Sequence, residues 1–432
     1  MKISLAWIKE YLTTDLPTET ISTLLTASGL EVEGVETFEP VKGGMKGLVI
    51  GEVLTCVKHP NADKLSLTTV EVGESAPLQI VCGAPNVEAG QKVVVALTGT
   101  MVHPVTGEPF EIKKSKIRGE VSEGMICAED EIGLGTSHAG IIILPADVKV
   151  GASAKDFFGI KSAEILEIGL TPNRADAASH YGVARDLAAV IRCHYPKLNI
   201  NMSLPDIKAF KAGSDTSLRI ELLNPESCPR YSGLVIKNVE VKESPDWLKV
   251  RLRSIDVAPI NNIVDITNFV LHELGQPLHA FDADKIKGNK VVVRNANPGE
   301  KFVTLDKVER KLFPTDLMIC NEEEPMCIGG VFGGAESGIN SATKNVFLES
   351  AYFNPVSIRK TSKLHGLKTD ASFRYERGTD PEITVYALTR AALMIQELAG
   401  GEIASPVMDV YPQTLQPVQV KLNYKYVDQF SG

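Results

Sequence analysis

The sequence predicts a multidomain α+β protein: a small α+β N-terminal domain carrying an inserted β-barrel, followed by a larger α+β domain. Three observations predict it. The 432 residues exceed what one hydrophobic core usually organises. Between residues 40 and 150, apolar and polar residues alternate in short runs separated by Gly, Pro, Asn and Asp. On either side of that stretch helical spacing returns, mixed with further strand-like runs.

The elements follow in chain order. Residues 18–30 read as an amphipathic helix, with Pro17 and Thr18 at its start, Ile21, Leu24 and Leu25 on one face, and Gly29 as its stop. Period-two runs then cover 48–57, 65–72, 78–82, 92–97 and 140–144. Five or so strands in about 100 residues suit a small closed barrel better than an open sheet. A helix with Val183, Leu187, Val190 and Ile191 at helical spacing comes next, and its packing with the N-terminal helix would make the barrel an insertion. The expected domains are therefore 1–39 with 151–204, the barrel at 40–150, and a third unit at 205–400. That third unit mixes strands at 218–223, 233–241, 291–294 and 347–351 with helices. One helix is capped by Asp380, carries Pro381 in its first turn and ends at Gly400-Gly401. Residues 401–432 read as the start of a further, truncated domain, since Tyr424 to Gly432 break off within a new strand and helix start.

Composition narrows the function. The formal net charge of -9 argues against a nucleic-acid partner unless charge is locally reversed. Charged residues interrupt the N-terminus where a secretion signal needs an apolar run, and no stretch approaches the ~20 apolar residues of a membrane span. Seven cysteines, without a Cys-x-x-Cys pair, read as buried thiols in a reducing cytoplasm. The chain is expected to be cytoplasmic, with no membrane and no metal site.

The local reversal exists. Lys113, Lys114, Lys116 and Arg118 fall within six positions, and Lys58 and Lys64 flank the segment His59-Pro60-Asn61-Ala62-Asp63. Such a run is the footprint a phosphate backbone needs, although lysines defending a strand edge give the same pattern. Together with Val81-Cys82-Gly83-Ala84-Pro85-Asn86 and Ser122-Glu123-Gly124-Met125, these segments resemble the tRNA-binding domain shared by several aminoacyl-tRNA synthetases and free-standing tRNA-binding proteins. The resemblance implies an OB-fold, with Lys58, Lys64, Lys113, Lys114, Lys116 and Arg118 as tRNA-binding residues.

A second set of segments identifies the host. Met1-Lys2-Ile3-Ser4-Leu5-Ala6-Trp7, Leu170-Thr171-Pro172-Asn173-Arg174-Ala175-Asp176, Asn261-Asn262-Ile263-Val264-Asp265-Ile266-Thr267-Asn268 and Gly275-Gln276-Pro277-Leu278-His279 resemble, in this order, the β subunits of bacterial phenylalanyl-tRNA synthetases. The resemblance implies an α partner in an α2β2 heterotetramer that attaches phenylalanine to tRNA(Phe), using ATP and Mg2+ in the complete synthetase and no cofactor in this portion. It also implies that the third unit edits, hydrolysing tyrosine wrongly attached to tRNA(Phe). Carried onto matching segments, the editing residues are His279, Glu349, Thr267, Asn268, Gly333, Thr369 and Ala371. The implied physics is discrimination by one hydroxyl, which a buried Glu349 carboxylate accepts from tyrosine and which phenylalanine lacks. His279 would orient the ester or the attacking water, the glycine-rich turn would let backbone approach, and Thr267, Asn268 and Thr369 would supply hydrogen bonds. Each has a purely structural alternative: a satisfied loop histidine, a structurally paired glutamate, a tight turn. Ala258 stands where many of the resembled proteins have arginine, which weakens the case for a cation gating the pocket. Two rivals stay open, a non-catalytic tRNA-binding scaffold and a stand-alone hydrolase of mischarged tRNA.

Overall fold

The computed structural model describes residues 1–431, so Gly432, the last residue of the 401–432 segment, lies outside the described residues. The chain forms two compact units, residues 36–164 and residues 1–35 with 165–432.

In the 36–164 unit an antiparallel sheet runs in the order Gly124–Ile126, Lys92–Leu97, Leu48–Lys58, Ser66–Glu71 and Leu78–Cys82, with Ile143–Leu144 also on Lys92–Leu97. Its ends curl together: Glu123 N donates to Gln79 O at 2.9 Å, and Gln79 Nε2 donates to Val121 O at 2.9 Å. The result is a nearly closed barrel. Val53, Val70, Ile80, Val93 and Val95 fill one core, while Ile50, Val94 and Ala96 belong to another. The Val93 to Ala96 run is thus buried on both faces, which explains its loss of alternation. Two expectations need correction. The 140–144 run contributes only Ile143–Leu144, and the edge that meets Leu78–Cys82 comes from Val121 to Glu123, just ahead of Gly124–Ile126, in strands of three residues too short to show a period.

In the other unit Lys2–Ser4 pairs with Ala163–Gly169, and the short helix Leu5–Tyr11, not anticipated from sequence, buries Leu5, Trp7, Ile8 and Tyr11. The amphipathic helix spans Thr18–Ala27 and the next spans His180–His194. Trp7 stacks on His180 at 3.9 Å and on Phe269 at 4.6 Å. Segments on both sides of residue 205 therefore share one apolar core, with Ile8, Leu25, Leu187, Leu234, Ile266 and Leu388 among its members.

Beyond residue 205 two sheets pack face to face. The first orders Leu278–Asp282, Val346–Tyr352 and Arg230–Lys237, all antiparallel, and Arg230–Lys237 also pairs with Glu402–Ile403 and Met408–Val410. Residues 402–410, read from sequence as the start of the following domain, thus complete this sheet in segments of two and three residues, too short to signal themselves. One face of the sheet, through Leu234 and Leu348, covers the helices Asn262–Leu274 and Ile383–Ala399. The other face, through Tyr231, Phe281 and Phe347, covers a second sheet ordered Arg219–Leu222, Lys290–Asn295, Leu317–Cys320, Pro325–Ile328 and Phe332–Gly333. The capped helix begins at Ile383, later than the sequence suggests, because Asp380 Oδ1 accepts from Glu382 N at 2.9 Å and closes a turn ahead of it. Of the seven cysteines five are buried, whereas Cys56 is half-buried and Cys193 exposed, contrary to the expectation of uniform burial. Among the described residues no helix is long and apolar enough to cross a membrane.

Candidate functional site

The helix Asn262–Leu274 starts where the Asn261 side chain accepts from Ile263 N and Val264 N, and stops at Gly275, whose φ of 82° suits glycine. Ile263, Ile266, Phe269 and Val270 face the apolar core. Val264, Thr267, Asn268 and Leu271, at helical spacing on another face, line a cavity of about 450 Å³. The turn through Gln276 and Pro277 feeds the edge strand Leu278–Asp282, in which His279 lies directly opposite Glu349 of Val346–Tyr352. Period two then puts His279, Phe281, Phe347 and Glu349 on one face of the sheet.

Gly333 forms the opposite wall. A Cβ there would meet His279 Cε1 at 3.0 Å and Leu305 Cδ1 at 2.9 Å, so glycine lets the imidazole sit here without crowding. Thr369 caps the helix Asp370–Tyr375 in a capping box with Ser372, and Ala371 sits on its first turn. Arg374 ties that helix down, donating to Asp370 O at 2.9 Å and meeting His272 Nδ1 at 3.2 Å. Thr267, Asn268, His279, Gly333, Glu349, Thr369 and Ala371 all line this one cavity.

Its electrostatics are set by burial. Glu349 is 4% exposed, and its Oε2 accepts a hydrogen bond from the Tyr231 hydroxyl at 2.6 Å. Desolvation raises its carboxyl to about 7, with the Tyr231 bond pulling in the other direction. The site thus holds a carboxyl near its midpoint at neutral pH, whereas the sequence suggests a fully ionised carboxylate. Burial lowers His279 to about 4, so its ring is neutral at pH 7, and its Nε2 has no hydrogen-bond partner. The threonines differ from expectation: Thr267 Oγ1 donates to Val264 O at 2.7 Å and Thr369 Oγ1 to Val331 O at 3.1 Å. Each hydroxyl proton is spent inside the protein, leaving only lone pairs for a ligand. Tyr231, Tyr375 and Arg374 are the supporting residues that sequence reasoning missed. No group of three or more His, Cys, Asp or Glu among the described residues is arranged to hold a metal ion. Ala258 is exposed and brings no charge near Ile260, which borders the cavity.

The barrel carries the second constellation. Lys58, Lys64, Lys113, Lys114, Lys116 and Arg118 are all exposed. Their two loops are joined: His59 Nε2 lies 3.1 Å from Ile117 O, and Asn61 Nδ2 donates to Arg118 O at 3.2 Å. The hairpin turn between Ser115–Ile117 and Glu120–Ser122 passes through Arg118 at φ 52° and Gly119 at φ 100°. Two of the six cations are already paired, Lys113 with Glu111 at 3.3 Å and Lys114 with Glu123 at 2.5 Å. Lys58, Lys64, Lys116 and Arg118 have no ion pair among the described residues.

Comparison with known proteins covers the regions that hold both constellations. Residues 48–153 match the putative tRNA binding domain family, and residues 227–400 match the B3/4 domain family. The chain is 56% identical to the phenylalanine–tRNA ligase β subunit of Bacteroides thetaiotaomicron, 52% to that of Porphyromonas gingivalis and 45% to that of Geobacter metallireducens. Each match covers 100% of this chain and 52% of the relative, so the chain spans about half the length of the curated relatives it matches. A crystal structure of an N-terminal fragment of the phenylalanyl-tRNA synthetase β subunit from Pyrococcus horikoshii is 16% identical, with a TM-score of 0.32 over 62% of this chain and 72% of that one.

Proposed function

This chain belongs to the phenylalanine–tRNA ligase β subunit family, and from that premise we propose that it binds tRNA(Phe) through the barrel and hydrolyses tyrosine misattached to it in the cavity. Attachment of phenylalanine, with its ATP and Mg2+, falls to an α partner in an α2β2 assembly in the cytoplasm. Residues 40–150 act as the tRNA-binding domain and 205–400 as the editing domain.

The observation that carries the editing reading is one buried carboxyl, Glu349, at the wall of a cavity of about 450 Å³, within the ~300–1,000 Å³ that small-ligand sites occupy. A tyrosine ring that enters donates a hydrogen bond from its phenol O–H to Glu349, whereas a phenylalanine ring leaves the shielded oxygen without a donor. Among the described residues, the Thr267 and Thr369 hydroxyls and the Cys327 thiol that line the cavity bond backbone carbonyls and not a base. His279, held neutral and weakly basic by burial, is suited to orienting an ester or a water through its unpartnered Nε2 rather than to carrying a proton at neutral pH. Hydrolysis here is therefore a matter of positioning.

Single-turnover deacylation of tyrosyl-tRNA(Phe) by the assembled ligase tests the reading. Glu349→Ala and His279→Ala should slow it while tRNA affinity holds. Unchanged deacylation in both variants would return the third unit to the role of a scaffold that only shapes the tRNA interface.

A further inference from the structure

The carboxyl that would recognise a substrate phenol already holds one. Tyr231 is the second residue of the strand Arg230–Lys237, is 0% exposed, and donates a hydrogen bond from its hydroxyl to Glu349 Oε2 at 2.6 Å. Glu349 borders the cavity and Tyr231 does not, so the tyrosine stands behind the carboxyl. Among the described residues, Tyr231 is the one protein donor to this carboxyl, and it donates to Oε2, not to Oε1. Two phenols would thus share one carboxyl, the internal one on Oε2 and the ligand's on Oε1.

We infer that Tyr231 is a positioning residue for tyrosine discrimination: its hydroxyl pins Glu349 Oε2 against the sheet so that Oε1 alone is offered to the ring of a bound aminoacyl group. The inference rests on the proposed editing function and goes one residue further. A carboxyl without this tether would turn about its terminal torsion, which is broad and soft, and meet the ligand hydroxyl at poor angles. The hydrogen bond also favours the ionised form, the better acceptor for a phenol proton. No other neighbour takes over that role. Across the strand pair, burial lowers His279 to about 4 and leaves it neutral, and burial raises the thiols of Cys228 and Cys327 and the phenol of Tyr375.

The ratio of tyrosyl- to phenylalanyl-tRNA(Phe) deacylation, followed against pH in the assembled ligase after spontaneous ester hydrolysis is subtracted from each rate, reads discrimination. In the unmodified protein the ratio should rise with pH through about 7 as Glu349 ionises. Tyr231→Phe should move that rise upward by about one pH unit and lower the ratio near pH 7 by about fivefold. A profile and ratio like those of the unmodified protein would overturn the role of Tyr231, whereas a ratio untouched by Glu349→Ala would overturn the editing reading itself. Should Tyr231→Phe fail to fold, Tyr231→3-fluorotyrosine, a stronger donor of the same shape, should move the rise downward, and an unmoved rise would again overturn the inference.

Discussion

The cavity and the basic face of the barrel use charge in opposite ways. In the cavity one carboxyl and one imidazole are withdrawn from water, and burial shifts both toward their neutral forms. On the barrel six cations stand in solvent, and two of them are already held by Glu111 and Glu123. A buried group discriminates because an unmet hydrogen bond is costly where water cannot replace it. An exposed cation attracts any phosphate backbone and is screened by salt. The difference suggests a division of labour in which the barrel supplies affinity and the cavity supplies selection.

The largest expected effect belongs to the buried side. A carboxyl raised from 4.5 to about 7 contributes stability that is fully present below pH 4.5 and is lost as pH rises through 7. The loss amounts to about 3 kcal/mol at most. His279, lowered from 6.5 to about 4, has the opposite sign: its contribution is present above pH 6.5 and fades as pH falls through 4. Glu349→Gln should therefore gain stability relative to the unmodified chain above pH 7 and not below 4.5, as read from denaturant midpoints. Parallel pH profiles for the two proteins would mean that the carboxyl is not desolvated, and the contrast drawn above would collapse.

Next in size is Gly333→Val, which drives a branched side chain toward His279 Cε1 and Leu305 Cδ1. Deacylation should fall on the order of 100-fold, the usual consequence of misplacing reacting groups by about 1 Å. Filter binding should give an unchanged Kd for tRNA. A matching drop in affinity would break the division of labour, because the two regions could no longer be perturbed separately.

The two regions also differ in how much of each can be read from the sequence. Six basic residues within two loops announce themselves against a net charge of -9, and the longer barrel strands other than Lys92–Leu97 follow period two. The acid that neutralises Lys114 does not, because Glu123 reaches it only across the hairpin of Ser115–Ile117 and Glu120–Ser122. The cavity residues have no common period: the helix Asn262–Leu274, two strands that pair antiparallel, a glycine turn and a second helix bring them together. They could be named only from resemblance to a family. Tyr231 escaped even that, since it lies 118 residues from Glu349 in the chain and its role exists only in the register of two strands.

Smaller effects sharpen the exposed side. Lys116→Ala, removing a cation with no ion pair among the described residues, should weaken tRNA binding several-fold and lower the slope of log affinity against log salt by about 1. Lys113→Ala should cost less, because its ammonium must leave Glu111 before it can meet a phosphate.

The smallest effect has the opposite sign and is the most specific to this fold. The Lys114 ammonium, through its hydrogen bond and then its charge, holds the Glu123 carboxyl below the ordinary glutamate range, so it stays ionised beside the basic face at neutral pH. Glu123→Gln keeps the backbone bonds from Glu123 N to Gln79 O and from Thr98 Oγ1 to Glu123 O, which belong to the chain and not to the carboxylate. It frees Lys114 and removes a charge that repels phosphate. Binding should tighten about two- to threefold at low salt, and the gain should vanish at high salt as screening sets in. Tightening that persists at high salt would assign the change to shape rather than charge, and weaker binding would mean that the Lys114–Glu123 pair organises the face instead of competing with it.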